Sequence, residues 1–270
     1  MRTLLAALTA LMLFATPVVA GDLEDASAAY DAGDYQKAFR LWKPHAEQGN
    51  VGAQNNLGVM FQMGNGVSKD DAKAVHWYRK AAEQGFARAQ YNFGWMYANG
   101  EGVPQDGAKA VHWYRKAAAQ GYTDAQYNLG RMYAMGVGVP EDDAKAVHWF
   151  RKAAEQGHAK AQYFLGLVYD EGEGVPEDDA KAVHWYRKAA EQGRVDAQYN
   201  LGGMYALGKG VPEDYVQAYA WTSIAAAQGE KSAKKIKDIT KRLMTTAQIA
   251  EAKKLSSEYW EKYVVPFQEE

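Results

Sequence analysis

The 270 residues carry 31 Lys plus Arg against 33 Asp plus Glu, and no cysteine. This near balance supplies no net positive field to gather nucleic acid or an anionic membrane, and the missing thiols exclude disulfides, cysteine nucleophiles and Cys-based zinc sites. The apolar content, 47% of the chain, is heavy in Ala, Tyr and Trp and light in Val/Ile runs, which favours helices over sheet.

Met1-Arg2 supply positive charge, Leu4 to Ala15 form an apolar run, and Val18-Val19-Ala20 offer small residues before Gly21. The pattern predicts a signal peptide over residues 1–20, cleaved near Ala20, and hence a periplasmic or secreted protein. The run is shorter than the roughly 20 residues a spanning helix needs, so no stable membrane insertion is expected after cleavage. Residues 22–50 lack the Gly-x-Gly-Val loop that recurs after them and read as a degenerate N-terminal repeat or cap.

Over residues 51–229 the chain repeats itself. Ala-Gln recurs at Ala53-Gln54, Ala89-Gln90, Ala125-Gln126, Ala161-Gln162 and Ala197-Gln198, each pair 36 positions after the last. The same shift superposes Gly64 to Val67 on Gly100 to Val103, Gly136 to Val139, Gly172 to Val175 and Gly208 to Val211, and aligns Trp77, Trp113, Trp149, Trp185 and Trp221. A fixed period in this range marks a stacked repeat architecture, because one unit cannot bury its own apolar face.

Within a unit the spacing predicts two helices. Ala89, Phe93, Met96 and Tyr97 form one stripe of the first, helix A. Gly100-Glu101-Gly102-Val103-Pro104 then turns the chain, and Asp106 is placed to cap the next helix. Helix B, about Gly107 to Gln120, puts Ala110, Trp113, Tyr114, Ala117 and Ala118 on its buried stripe, with Gly121 as its stop. Small Ala opposite large Trp and Tyr allows close helix packing.

The motifs A-x-x-W-Y-x-K-A-A-x-Q-G, A-Q-Y-N-L-G and G-x-G-V-P resemble Sel1-like repeats, relatives of the tetratricopeptide repeat, over about Asp22 to Gly229. The resemblance implies an all-α fold, a right-handed α-solenoid of stacked helix-turn-helix repeats, and a non-catalytic scaffold that binds a protein or peptide. The segment Tyr30 to Ala38 looks more like an ordinary tetratricopeptide turn. Residues 230–270 leave the period and predict two capping helices, Lys231 to Leu243 and Thr246 to Tyr263, with a capping box at Thr245 and Gln248.

Three features invite chemistry, and each has a plainer reading. His76, His112, His148 and His184 recur once per unit, but equivalent positions in stacked helices lie on the order of 10 Å apart, whereas zinc needs nitrogens at about 2.0–2.1 Å. Glu141-Asp142-Asp143 and Glu177-Asp178-Asp179 resemble calcium ligands but stand where helix caps belong. Ser232-Ala233-Lys234-Lys235 matches S-x-x-K without its companion S-D-N and K-T-G elements. Some cysteine-rich relatives are linked to β-lactam binding, so a β-lactam or cell-wall hydrolase at Ser232, or a regulator of a peptidoglycan enzyme, stands as the alternative. No cofactor, metal or catalytic residue is expected.

The remaining signal is a surface. Positions that recur serve the stack, and positions that vary between copies are free to serve a partner. Arg88, Tyr91, Trp95 and Ala98 fall on the face of helix A opposite the core stripe, the concave face in tetratricopeptide-like stacks. At the Trp95 position the other copies carry Val59, Arg131, Leu167 and Gly203. An exposed Trp95 beside Tyr91 and Tyr127 would supply rigid anchors. Tyr163 and Tyr199 continue the tyrosine series, and Asn56, Asn92, Asn128 and Asn200 offer amides at the edge of the same face, with Phe164 breaking their series. These amides either bind an extended peptide or satisfy groups between repeats. The candidate partner face is therefore Arg88, Tyr91, Asn92, Trp95, Tyr127, Asn128, Arg131, Tyr163, Leu167 and Tyr199.

Overall fold

A computed structural model describes residues 21–268, so the expected signal peptide lies outside the described residues. Among the described residues there are fourteen α-helices and one 3-10 turn, Val265–Phe267, with no strand. They fall into two units, Met1–Gln84 and Gly85–Glu270. The first holds α1 Gly21–Asp31, α2 Tyr35–Glu47, α3 Val51–Met63 and α4 Asp71–Glu83. The second holds α5 Ala87–Asn99, α6 Gly107–Ala119, α7 Thr123–Ala134, α8 Asp143–Glu155, α9 Ala159–Glu171, α10 Asp179–Ala190, α11 Val195–Leu207, α12 Tyr215–Ala227, α13 Lys231–Leu243 and α14 Thr246–Tyr263. In each unit consecutive helix pairs stack as a solenoid, with the tightest packing inside a pair and looser packing between pairs.

The loop between helices A and B follows one plan, except that α7 ends on a right-handed Met135 where the other A helices end on a left-handed glycine. Helix α5 stops at Gly100, whose φ of 74° is left-handed backbone and whose N–H donates to the Met96 carbonyl. The Asp106 N–H reaches back to the Tyr97 carbonyl at 2.9 Å. The Asp106 carboxylate then accepts from the Lys109 N–H at 2.9 Å and pairs with the Lys109 ammonium at 3.1 Å. Asp70, Asp142 and Asp178 do the same for α4, α8 and α10. The acidic triplets are thus helix caps, as their position suggested. Gly138 has to be glycine for two reasons: its φ of 73° is left-handed, and a Cβ there would lie 2.1 Å from the Gly107 carbonyl carbon at the start of α6.

Inside a pair, the glycine of A-Q-Y-N-L-G sets the distance between helices. A Cβ on Gly94 would lie 2.9 Å from the Tyr114 ring, on Gly130 2.7 Å from Phe150, and on Gly166 2.3 Å from Tyr186. These rings are buried, and Ala110, Val111, Ala117 and Ala118 complete the core side of α6. Trp113 departs from its expected place. It is half-buried, and the Lys116 ammonium covers its ring at 4.6 Å; Trp149 and Trp185 are arranged alike. Of the five tryptophans that the repeat aligns, Trp221 alone, covered by Tyr259 and Tyr263 of α14, is fully buried.

A buried amide ladder joins one pair to the next. Gln126 Nε2 donates to the Ala118 carbonyl of the preceding helix B at 3.2 Å, while its Oε1 accepts from Gln156 at 2.7 Å. Gln162 repeats the pattern with Ala154 and Gln192, and Gln198 with Ala190 and Gln228. Paired this way, the amides avoid the roughly 1–3 kcal/mol that each unsatisfied buried polar group would cost.

At the C-terminal end α13 and α14 occupy the stretches expected, and Thr245 and Gln248 form the capping box. Helix α13 packs on α12 and α11, and α14 on α12.

The glycine contacts predict effects of opposite sign. Gly166→Ala should lower stability by about 1–3 kcal/mol through overpacking against Tyr186. Gly203→Ala, whose Cβ would meet only the Ile236 Cδ1 at 3.8 Å, should raise it by about 0.5–1 kcal/mol through helix propensity. Urea unfolding of the two variants checks both.

Hydrogen bonds and the paired lysine hold the Asp70, Asp106, Asp142 and Asp178 carboxyls below the usual carboxylate range; at Asp142 and Asp178 the lysine side chain is the larger cause. With the folded pKa depressed, the stabilisation is complete above the ordinary aspartate value and is lost as pH falls through the folded one. Helix content followed by circular dichroism should therefore fall with acidification. Replacing Asp106, Asp142 and Asp178 with Asn, which caps without titrating, should shrink that fall.

Candidate functional site

The outward side of the A helices in the second unit divides into a tyrosine row and a cleft. Tyr91, Tyr127, Tyr163 and Tyr199 are half-buried rather than free. The N-cap residue of the next A helix accounts for three of them. Tyr122 lies 5.1 Å from Tyr91, His158 stacks on Tyr127 at 4.5 Å, and the Arg194 guanidinium sits 5.9 Å above Tyr163. Burial pushes the Tyr91 phenol up to about 12, so it stays protonated and able to donate.

Tyr122, His158 and Arg194 belong to this surface although the sequence reading passed over them. The signal for them is the residue directly after each Gln-Gly stop, which runs Asn50, Phe86, Tyr122, His158, Arg194 and Glu230. His158 is also a cap. Its Nδ1 accepts from the Ala161 N–H at 3.1 Å, which places the ring proton on Nε2, 3.5 Å from the Asp124 carboxylate. That hydrogen bond to His158 is the main cause holding the Asp124 carboxyl below its ordinary value.

The asparagines serve the stack. Asn128 Nδ2 donates to the Tyr91 hydroxyl at 3.5 Å, and its amide also offsets part of the rise that burial gives the Tyr114 phenol. The Asn200 amide acts in the same direction on the Tyr163 and Tyr186 phenols. Where helix B carries Phe150 in place of tyrosine, the matching asparagine becomes Phe164, and the two rings stack at 5.3 Å with planes 11° apart. Polar pairs and an apolar pair thus alternate at one kind of contact, with neither half left unmatched. Asn92 is likewise half-buried and has an interaction of its own.

Trp95 and Arg131, one repeat apart, come together. They line one cleft of about 210 Å³ with Asn128, Met132, Met135 and Val137. Trp95 is half-buried against the core rather than exposed. Arg131 is exposed; it touches the Met135 sulfur at 4.0 Å and lies 5.9 Å from the Tyr127 ring centre, with no acidic partner among the described residues. Met135 is 60% and Val137 41% exposed. Of the other candidates Arg88 is exposed on α5 and Leu167 is half-buried on α9, and neither lines this cleft.

Among the described residues no group of three His, Cys, Asp or Glu is placed to hold a metal ion. His112, His148 and His184 each stand edge-on to the neighbouring indole at 5.0–5.2 Å. Asp179 and Asp170 each approach the Lys209 ammonium at 3.3 Å, with Glu177 at 3.9 Å. Ser232 is exposed in the first turn of α13, and its N–H donates to the Glu230 carboxylate, which caps that helix.

The tyrosine–asparagine pairing yields a double-mutant cycle. Tyr114→Phe and Asn128→Phe should each destabilise by about 1 kcal/mol by orphaning the partner. The double variant, which recreates the Phe150–Phe164 arrangement, should be more stable than the sum of the singles by about 0.5 kcal/mol or more. Equilibrium urea denaturation of the four proteins measures the coupling.

The repeat of this chain matches the Sel1 repeat at residues 29–50, 51–86, 87–122, 123–158, 159–193 and 195–230. Among solved structures, a Sel1 repeat protein from Oxalobacter formigenes is 37% identical, the match spanning 81% of this chain and 87% of that one at a TM-score of 0.73. The protective antigen c5321 of uropathogenic Escherichia coli strains, which displays an SLR fold, is 33% identical over 91% of this chain and 69% of its own, with a TM-score of 0.46. The immunity protein PA5088 from Pseudomonas aeruginosa is 24% identical over 77% and 82% at a TM-score of 0.50, a likeness of fold alone. No curated protein matches. With the repeat matched over most of its length, the chain belongs to the Sel1 repeat family, a family of helical repeat scaffolds rather than of enzymes.

Proposed function

We propose that the protein is an exported, non-catalytic adaptor of the cell envelope, periplasmic or secreted, that holds a protein or peptide partner on the outward face of its A helices. The observation that carries the reading is the convergence of Trp95 and Arg131 in one cleft with Met132, Met135 and Val137. An indole edge and two thioethers accept an apolar side chain of varied shape. A guanidinium without an acidic partner matches a carboxylate beside that side chain. The partner segment is accordingly an apolar residue next to an acidic one or next to a chain terminus.

Export rests on the charge and hydropathy pattern of residues 1–20. Among the described residues no helix is long and apolar enough to cross a membrane. The tyrosine row contributes shape more than free hydrogen-bonding groups, because its rings are covered by Tyr122, His158 and Arg194.

Cross-linking in the native envelope followed by mass spectrometry identifies the partner, and titration of that partner tests the cleft. Trp95→Ala with Arg131→Ala should weaken binding by about 2 kcal/mol or more, the scale of interface hot spots. Leu167→Ala, outside the cleft, should leave it nearly unchanged. Unaltered binding in the double variant overturns the assignment of this face.

A further inference from the structure

The near-neutral total charge conceals one strongly basic element. Helix α13 carries Lys231, Lys234, Lys235, Lys237, Lys241 and Arg242 against a single acid, Asp238, within 13 residues. None of the six cations makes an ion pair within the described residues, although the other lysines of the solenoid are repeatedly tied to capping aspartates. The helix is also amphipathic in an unusual way. Its inner side is small, with Ala233 and Thr240 buried and Ile236 directed at Gly203 of α11. Ile239 and Leu243, four residues apart and so neighbours on one face, are each 56% exposed. At 100° per residue Lys235 and Arg242 border that apolar pair on the side away from the packed face, and the remaining cations continue round the helix from there.

A core helix would cover Ile239 and Leu243, and a helix that serves only to close a solenoid needs a polar outer face with no directed charge. Helix α13 has neither property. We propose that α13 docks the protein on an anionic phospholipid surface, lying in the plane of the headgroups with Ile239 and Leu243 directed toward the acyl boundary and the lysines on lipid phosphates. Charge complementarity selects that occupant. Four to eight Lys or Arg on an amphipathic helix is the composition that holds to anionic lipid, and the two exposed aliphatic residues supply the shallow apolar contact that such helices add. An acidic protein is the weaker match, because five of the six cations are lysine, which protein interfaces disfavour relative to arginine. The contact is peripheral, since no described helix is able to span a membrane.

This surface is distinct from the Trp95–Arg131 cleft on α5 and α7, so the two assignments fail separately. The test is flotation of the full chain with vesicles of phosphatidylcholine alone and of phosphatidylcholine mixed with phosphatidylglycerol, at low and high salt. Variants differing only in α13 leave any contribution of residues 1–20 common to all. Binding is expected on the mixed vesicles and is expected to fall with added salt. Lys235→Gln with Arg242→Gln should bind roughly twenty-five-fold more weakly, each lost cation contributing a factor of about five. Ile239→Ser with Leu243→Ser should weaken it further, and Trp95→Ala with Arg131→Ala should leave it unchanged. The substituted side chains of α13 are all exposed, and thermal melts confirm folding of every variant. The proposal is overturned by absent binding, by equal binding to both vesicle types, by full binding of the Lys235→Gln, Arg242→Gln variant, or by poly-glutamate displacing the vesicles at equal charge.

Discussion

The packing of each helix pair in the second unit rests on a glycine with no room for a methyl group. Gly94, Gly130 and Gly166 let helix A settle directly onto a buried ring of helix B, and a Cβ at any of them would overlap that ring. This approach fixes the crossing of the two helices and so the place of everything else. The alanines of helix B meet the core because the helices are close. The buried glutamines reach the carbonyl of the previous pair because successive pairs sit at one spacing. Interiors at crystal-like density tolerate little deviation, which is why one contact repeated along the chain governs a whole unit.

The same regularity separates the surface into what is committed and what is free. Tyrosines and asparagines on the outward side are tied to one another across repeats, and the Phe150–Phe164 pair shows that the contact is maintained by changing both partners together. Such coupling marks positions that serve the stack, even where their chemistry varies. Arg131, Met135 and Val137 are exposed and Trp95 is half-buried in the one cleft they share. The proposed partner would meet there a short cleft beside a row of occupied side chains, lined from two neighbouring copies of the repeat.

Much of this was legible in the sequence, and what was not has a definable cause. The bounds of α13 and α14 and the Thr245–Gln248 box follow from local rules of capping and periodicity. The roles of Asp106 and Asp142 follow likewise, since a cap acts on residues three positions away. Burial of a given side chain is a different matter. Trp113 and Trp221 occupy the same place in their repeats, yet one is half-open under a lysine and the other is sealed by α14. Tyr91 and Tyr127 are half-buried because the N-cap residues of the following A helices roof them, a relation between residues about thirty positions apart that no helical wheel displays. Val111 was overlooked for a similar reason, lying at the margin of the stripe where only the neighbouring helix decides exposure.

The amide ladder has one more implication, which concerns how such a chain can change over time. Gln126, Gln162 and Gln198 each present the same donor and acceptor to the pair before and the pair after, and α8 and α10 are nearly the same sequence. Each of these amide joints is therefore chemically interchangeable with the next, whereas the Phe150–Phe164 contact is not interchangeable with its tyrosine–asparagine counterparts. Duplication or loss of a whole unit by unequal recombination preserves the amide ladder, and it avoids a mismatch in the core wherever the break keeps Phe150 facing Phe164. The protein can lengthen or shorten in single-repeat steps while its two ends and its variable cleft are carried along intact, so its reach is open to selection independently of its specificity.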